Sequence, residues 1–355
     1  MSAQRIAVIP GDGIGVEVVD AARAVLDAVC ARHGITLSYQ GFDWSCQRFE
    51  REGTMMPDDG IETLREFDAI FLGAVGWAGV PDHVSLWGLL IPIRRAFRQY
   101  VNLRPIKVFA GVRSPLRDAD DVDFVVVREN VEGEYSEVGG RLNRGFPDEM
   151  AVQESVFTRV GVSRIADFAF DLAMSRGKYV TSATKSNGIV HTLPFWDEVV
   201  AERAAHYPEV RLDSEHIDAL AAKFVLQPQR FDVVVASNLF GDILSDLAAA
   251  VAGSIGIAPS ANLDPTKENP SMFEPVHGSA PDIAGRGIAN PVGAVWSAAL
   301  MLDHLGHPGA AEDVMTAVTT TLADPTTRTG DLGGKASTAE VTAALIAALP
   351  WRFPT

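Results

Sequence analysis

The chain has 355 residues, 47% of them hydrophobic, enough for one large domain or two lobes with a proper core. Its 46 Asp and Glu against 30 Lys and Arg give a formal charge of −16. That balance excludes nucleic acid or an anionic membrane as the main partner, and an anionic substrate then needs local cationic groups to overcome the overall field. Two cysteines, Cys30 and Cys46, lack metal-site spacing and suggest a reducing compartment. The first strand begins almost at once and no apolar stretch is long enough to span a bilayer, so a soluble cytoplasmic protein is expected.

In chain order, residues 6–9 predict a strand, followed by a glycine turn at 10–15 and a helix over about 16–29. No register of Gly11, Gly13 and Gly15 completes Gly-x-Gly-x-x-Gly, so this is a tight turn near a ligand, or an ordinary strand-to-helix turn, and not a Rossmann fingerprint. Residues 36–42 and 69–73 predict strands, and 88–100 a basic amphipathic helix with Pro92 near its first turn. Arg94, Arg95 and Arg98 lie on it and Arg104 follows. Arg95 and Arg98 fit a solvated face, while clustered arginine in an acidic protein also suits bidentate capture of carboxylates.

A strand over 124–127 ends in Arg128 and Glu129, with Tyr135 seven positions beyond Arg128. Residues 137–157, with Gly139, Gly140, Gly145 and Pro147, predict an extended hairpin whose apolar alternation suits an intersubunit arm. A helix with one buried stripe follows (Ile165, Phe168, Ala169, Leu172). Next comes a strand-like run with Lys185 just past its end, then a helix to about Ala205. Residues 210–213 predict a strand, and 217–225 a helix with Asp218 in its first turn.

The stretch over 231–246 organises the chain. A β-branched run, Val233 to Val235, reads as a buried parallel strand, and the helix after it places Asp242 and Asp246 on one face at i, i+4. Such a pair is mildly repulsive unless a positive group sits between, and Mg²⁺ or Mn²⁺ prefers oxygen ligands of this kind. Taken alone, the pair, like Asp218, more often complements a helix dipole; the strand-end position favours the ligand reading. Residues 260–270 are a loop by composition, and helices are expected over 292–304, 312–322 and 338–349.

Five blocks together resemble the β-decarboxylating dehydrogenases, the family of isocitrate, 3-isopropylmalate and tartrate/D-malate dehydrogenases. They are residues 11–15 (Gly-Asp-Gly-Ile-Gly), the Arg94/Arg104 pair, 128–135 (Arg-Glu-Asn-Val-Glu-Gly-Glu-Tyr), 238–246 (Asn-Leu-Phe-Gly-Asp-Ile-Leu-Ser-Asp) and 277–282 (His-Gly-Ser-Ala-Pro-Asp). Residues 82–88, 102–105 and 255–263 look most like the tartrate/D-malate group. Leu89 departs from it, standing where a small polar residue is frequent, so the substrate-facing side of that helix is expected to be more apolar.

The resemblance implies an α/β, two-lobed isopropylmalate-dehydrogenase-like fold, not Rossmann. One lobe joins residues 1–100 with 255–355, and the other, 101–254, holds a dimer interface and a projecting β arm near 137–157. It implies NAD- and metal-dependent oxidation and decarboxylation of a small 2-hydroxy dicarboxylate such as D-malate or tartrate. Lys185 matches the base, which must be neutral to act; Tyr135 matches the acid that protonates the enol carbon. Arg94, Arg104 and Arg128 match the carboxylate clamp. Asp218, Asp242 and Asp246 match the ligands of Mg²⁺ or Mn²⁺, with Asp218 and Lys185 reaching in from the second subunit of a homodimer. Ile14, His277, Gly278, Ser279, Ala280, Asp282 and Asn290 match the adenosine side of the NAD site. Asp282 accepts hydrogen bonds from ribose hydroxyls and repels a 2′-phosphate, so NAD is expected over NADP. A monovalent cation, K⁺, is implied as well. The alternatives are 3-isopropylmalate dehydrogenase, which shares these residues, a Mg²⁺-dependent phosphohydrolase built on the aspartates, and a dimeric binding protein without catalysis, against which Lys185 and Tyr135 speak.

Overall fold

A computed structural model describes residues 3–117, 119 and 121–351. The chain divides into two compact units, one made of residues 1–99, 108–117 and 249–355, the other of 100–107 and 118–248.

The strands of the first unit run in the order Leu37–Gly41, Gln4–Gly11, Ala69–Ala74, Ser271–Pro275 and Pro259–Leu263. All neighbours are parallel except the last pair. Ala69–Ala74 is buried at every position, as a central parallel strand covered on both faces must be. The helix Gly15–His33 ends at Gly34, whose left-handed conformation lets its N–H close on Cys30 O. Trp44, Phe67, Ile70, Leu72, Phe97 and Met272 build the core on one side. The helix Val292–His304, apolar nearly all round, is buried almost throughout.

Three expectations change here. Residues 259–263 form a fully buried strand, not part of a loop. Composition misleads because its polar groups, side chain and backbone, find partners inside the protein. Asn262 Nδ2 donates to Glu274 Oε1 at 2.7 Å, and Ser260 N donates to Ser297 Oγ at 3.4 Å. The basic helix is shorter than 88–100. A helical turn Asp82–Ser85 leads through a wide π-type turn, Leu86–Leu90, into Ile91–Ala96. The chain leaves the helix where Arg98 takes a positive φ of 50°. Leu89 is fully buried with Ile93 and Phe97 in the core, so the expected apolar substrate-facing surface is not made by it.

In the second unit the strand order is Val101–Lys107, Asp123–Glu129, Val233–Ala236, Tyr179–Thr184 and Arg211–His216, with only the first pair antiparallel. Phe124, Phe224 and Phe231 form an aromatic cluster with ring centroids 4.9–5.9 Å apart. The helix Arg159–Met174 starts at Thr158, whose hydroxyl accepts from Gly161 N. Gly139–Leu142 and Met150–Gln153 pair antiparallel as a separate hairpin, exposed at every strand position. Among the described residues no helix is long and apolar enough to cross a membrane.

Candidate active site

The fully buried strand Val233–Ala236 delivers the chain to the helix Asn238–Val251, which carries Asp242 and Asp246 one turn apart. Two antiparallel strands bring arginines to them, with Asn102 opposite Arg128 in the register. Arg104 donates to Ser245 Oγ at 2.6 Å and to Asp246 Oδ1 at 3.1 Å, and its other terminal nitrogen lies 3.6 Å from Asp242 Oδ1. Arg128 grips Asn238 Oδ1 with Nε at 3.1 Å and Nη2 at 2.7 Å, while its Nη1 donates to Asp242 Oδ1. Gly241 makes this approach possible: a Cβ there would meet Arg128 Cβ at 2.6 Å. The like-charged pair is thus held between two guanidinium groups.

Tyr135 closes the cluster. Its hydroxyl donates to Asp242 Oδ2 at 2.9 Å, and the Arg128 guanidinium lies 5.5 Å from its ring centre. Burial first, then the Asp242 charge, holds the phenol above the ordinary tyrosine range. Burial also raises the Asp246 carboxyl, opposed by Arg104 and reinforced by Asp242.

Lys185 stands just past Tyr179–Thr184 and donates to Asp218 Oδ1 at 2.8 Å, in the first turn of Ile217–Leu226. That bond is the main reason the Asp218 carboxyl sits below its usual range. Among the described residues no three His, Cys, Asp or Glu side chains converge within the chain, so Asp218 pairs with Lys185 and does not join Asp242 and Asp246.

In the first unit, a cleft of about 440 Å³ is walled by Ile14, Ile255, Ile283 and Ile288, with His277, Asn290 and Asp331 supplying polar edges. Ile14 N donates to Ser279 O at 2.8 Å, and a Cβ on Gly13 would meet that same oxygen at 2.0 Å. The glycine turn and the 277–282 segment are therefore locked backbone to backbone. His277 Nδ1 lies 3.0 Å from Gly278 O, its Nε2 is buried without a partner, and burial lowers its pKa, keeping the ring neutral. Asp331 accepts from Ser254 Oγ at 2.6 Å and Asn290 Nδ2 at 3.0 Å.

Of the residues singled out in sequence, Ile14, His277, Ala280 and Asn290 line this cleft; Gly278, Ser279 and the exposed Asp282 lie outside its lining. Asp331 and Lys335 line it unforeseen. The signal was present in residues 329–335, Thr-Gly-Asp-Leu-Gly-Gly-Lys, a glycine-rich break between two helices. Arg94 is buried against Glu274 at 2.8 Å, and Glu274 also holds Asn262. Arg98 is exposed, whereas Arg95 covers the Trp87 ring at 5.0 Å.

Residues 5–345 match the family model for isocitrate/isopropylmalate dehydrogenase. The chain is 57% identical over 339 residues to a probable tartrate dehydrogenase/decarboxylase of Bacillus subtilis, covering 95% of each chain. It is 55% identical to D-malate dehydrogenase [decarboxylating] of Escherichia coli, covering 97% of this chain and 98% of the other. A crystal structure of isocitrate dehydrogenase from Methylococcus capsulatus superposes with a TM-score of 0.88 at 35% identity, covering 98% and 99%. With the fold and the sequence agreeing over nearly its whole length, the chain belongs to the isocitrate/isopropylmalate dehydrogenase family of oxidoreductases.

Proposed function

We propose that this enzyme oxidises and decarboxylates a small (2R)-2-hydroxy dicarboxylate of the D-malate or tartrate type, using NAD and Mg²⁺ or Mn²⁺. The observation that carries the proposal is the balanced cluster of Arg104 and Arg128 on Asp242 and Asp246, with the Tyr135 phenol beside it. Two positive and two negative groups cancel. A divalent cation and a dicarboxylate dianion entering together preserve that balance, whereas either alone breaks it.

The oxygen-only donors Asp242 and Asp246 suit a hard divalent ion, and the buried, partnerless Nε2 of His277 in an apolar-walled cleft suits the edge of a flat heterocycle. When bound, the ion would act as a Lewis acid at the developing enolate oxygen and NAD would accept the hydride from carbon 2. Arg104 and Arg128, released from the aspartates, bind and orient the substrate carboxylates, each charge-assisted contact contributing roughly 1.5–3 kcal/mol. Lys185, as the neutral amine, takes the hydroxyl proton. Tyr135 returns a proton to the enol carbon from its hydroxyl. Burial, which keeps the phenol protonated, suits it to that task.

Lys185 and Asp218 act across a homodimer in this scheme, and K⁺ serves as a further cofactor. The hairpin supports a second copy as partner: Leu142, Phe146, Met150 and Val152 are 60%, 67%, 49% and 41% exposed in the single chain. Asp282 is assigned to the adenosine ribose, selecting NAD. The names borne by the relatives favour D-malate or tartrate over 3-isopropylmalate. Initial rates of NADH formation with D-malate, L-tartrate and 3-isopropylmalate test the assignment, with phosphate release from small esters assayed alongside. A strong preference for 3-isopropylmalate, or phosphate release without any change at the nicotinamide absorbance, overturns it.

A further inference from the structure

The segment from Arg128 to Tyr135 carries three glutamates, and each reaches a different neighbour. Glu129 accepts from the backbone N–H groups of Val131 and Glu132 at 2.9 and 2.6 Å. Glu132 accepts from Thr158 N and Oγ1 at 2.9 and 2.7 Å. Only Glu134 turns toward the helix that bears Asp242. Its Oε1 accepts from Ser237 Oγ at 2.8 Å and its Oε2 from Leu239 N at 3.0 Å. Behind it, Gln153 Nε2 donates to the carbonyls of Glu134 and Ser136 at 3.3 and 2.8 Å, holding the same segment to the hairpin.

We infer that Glu134 is a positioning residue for Tyr135, fixing the phenol against the first turn of the helix Asn238–Val251. The inference rests on the proposed role of Tyr135 as proton donor. Leu239 N–H is one of the first-turn groups that no intrahelical carbonyl can satisfy, and a carboxylate is favoured there by the helix dipole as well. Ser237 is fully buried, so its hydroxyl needs the partner. The direct tether of the phenol, its bond to Asp242, must loosen when that carboxylate turns to other partners during turnover. Glu134 sits one residue away on a tether that does not involve Asp242, so the phenol stays aimed throughout.

Glutamine can reproduce both contacts. Its carbonyl accepts from Leu239 N, and its amide donates to Ser237 Oγ, whose own proton rotates away. Alanine reproduces neither. Exchange of the pyruvate methyl protons in D₂O, followed by NMR with Mn²⁺- and NADH-loaded enzyme, isolates the tyrosine step. The small fraction of Tyr135 that is ionised at the assay pH takes a methyl proton as the C–H bond breaks to the enol, the reverse of its donation. Solvent replaces the proton on oxygen by a deuteron, and its return forms a C–D bond with nothing oxidised or reduced.

Glu134→Ala should slow this exchange by about tenfold to a hundredfold. KM for D-malate and single-turnover hydride transfer should stay within about threefold, and Glu134→Gln should restore exchange to within about threefold. Ser237→Ala, which removes one contact of the two, should give an intermediate loss and serves if Glu134→Ala fails to fold. Normal exchange in Glu134→Ala, or an equal loss of hydride transfer that glutamine does not rescue, overturns the inference. Undiminished exchange in Tyr135→Phe would instead overturn the role assigned to Tyr135.

Discussion

Replacing Arg104 by methionine should move metal and substrate affinity in opposite directions. The side chain is 9% exposed and spans Asp246 at 3.1 Å and Asp242 at 3.6 Å, so in the free enzyme it competes for the carboxylates assigned to the metal. Asp246 is 56% exposed and Asp242 33%, which sets a high effective dielectric, about 40–80. For a divalent and a univalent cation about 5–6 Å apart, that gives roughly 1.5–3 kcal/mol of repulsion relieved by the substitution. Mn²⁺ should therefore bind the substrate-free variant about tenfold to a hundredfold more tightly. Loss of a charge-assisted contact to substrate should meanwhile lower kcat/KM for D-malate by about tenfold to a hundredfold. Folding should survive, since the Ser245 hydrogen bond and a half-exposed ion pair together contribute about 1–2 kcal/mol. Titration of Mn²⁺ by electron paramagnetic resonance, with substrate and NAD absent, reads the first effect, and steady-state kinetics the second. Weaker Mn²⁺ binding in the variant would refute the competition and remove Asp242 and Asp246 from the ligand set.

In the proposed homodimer, mixing the inactive variants Lys185→Met and Tyr135→Phe under subunit exchange should recover about one quarter of wild-type turnover. Half the dimers are then mixed, and each has one intact site. No recovery would place Lys185 and Tyr135 in a site within one chain. Asp282→Lys should raise kcat/KM for NADP relative to NAD, and a variant still strictly NAD-selective would remove Asp282 from the ribose contact. Burial raises Glu129 to about 7 in the native protein, above an unfolded carboxyl near 4.5. The protonated form is thus favoured by folding, and stability present below pH ~4.5 falls as pH rises through about 7, by roughly 3 kcal/mol. Glu129→Gln should flatten the denaturation midpoint between pH 5 and 8; an unchanged slope would show that Glu129 is not the titrating group.

The strands and helices were legible wherever apolar periodicity and glycine punctuation agreed. The helix Val292–His304 is one case, and the pairing of Asp242 with Asp246 on one helical face is another. What sequence could not show is long-range satisfaction of polar groups. Asn262 and Ser260 look like loop residues until Glu274 and Ser297, 12 and 37 residues away, take their hydrogen bonds. The same blindness hid Asp331, whose partners Ser254 and Asn290 lie 77 and 41 residues distant. Leu89 shows the converse: a departure from a family pattern marks a core position, buried within the wide turn Leu86–Leu90. Glu134 lies within the 128–135 motif, yet a glutamate beside a tyrosine carries no sign of the helix N-terminus it meets.

The first unit joins segments far apart in the chain, for Ala69–Ala74 pairs along one edge with Gln4–Gly11 and along the other with Ser271–Pro275. On the ribosome, the opening ninety-nine residues therefore emerge with one edge of a buried strand unpaired. The middle unit is fully synthesised before the partner segment appears. Nascent chains whose emerged part ends near residue 250 should thus hold an ordered middle and an unzipped, aggregation-prone beginning.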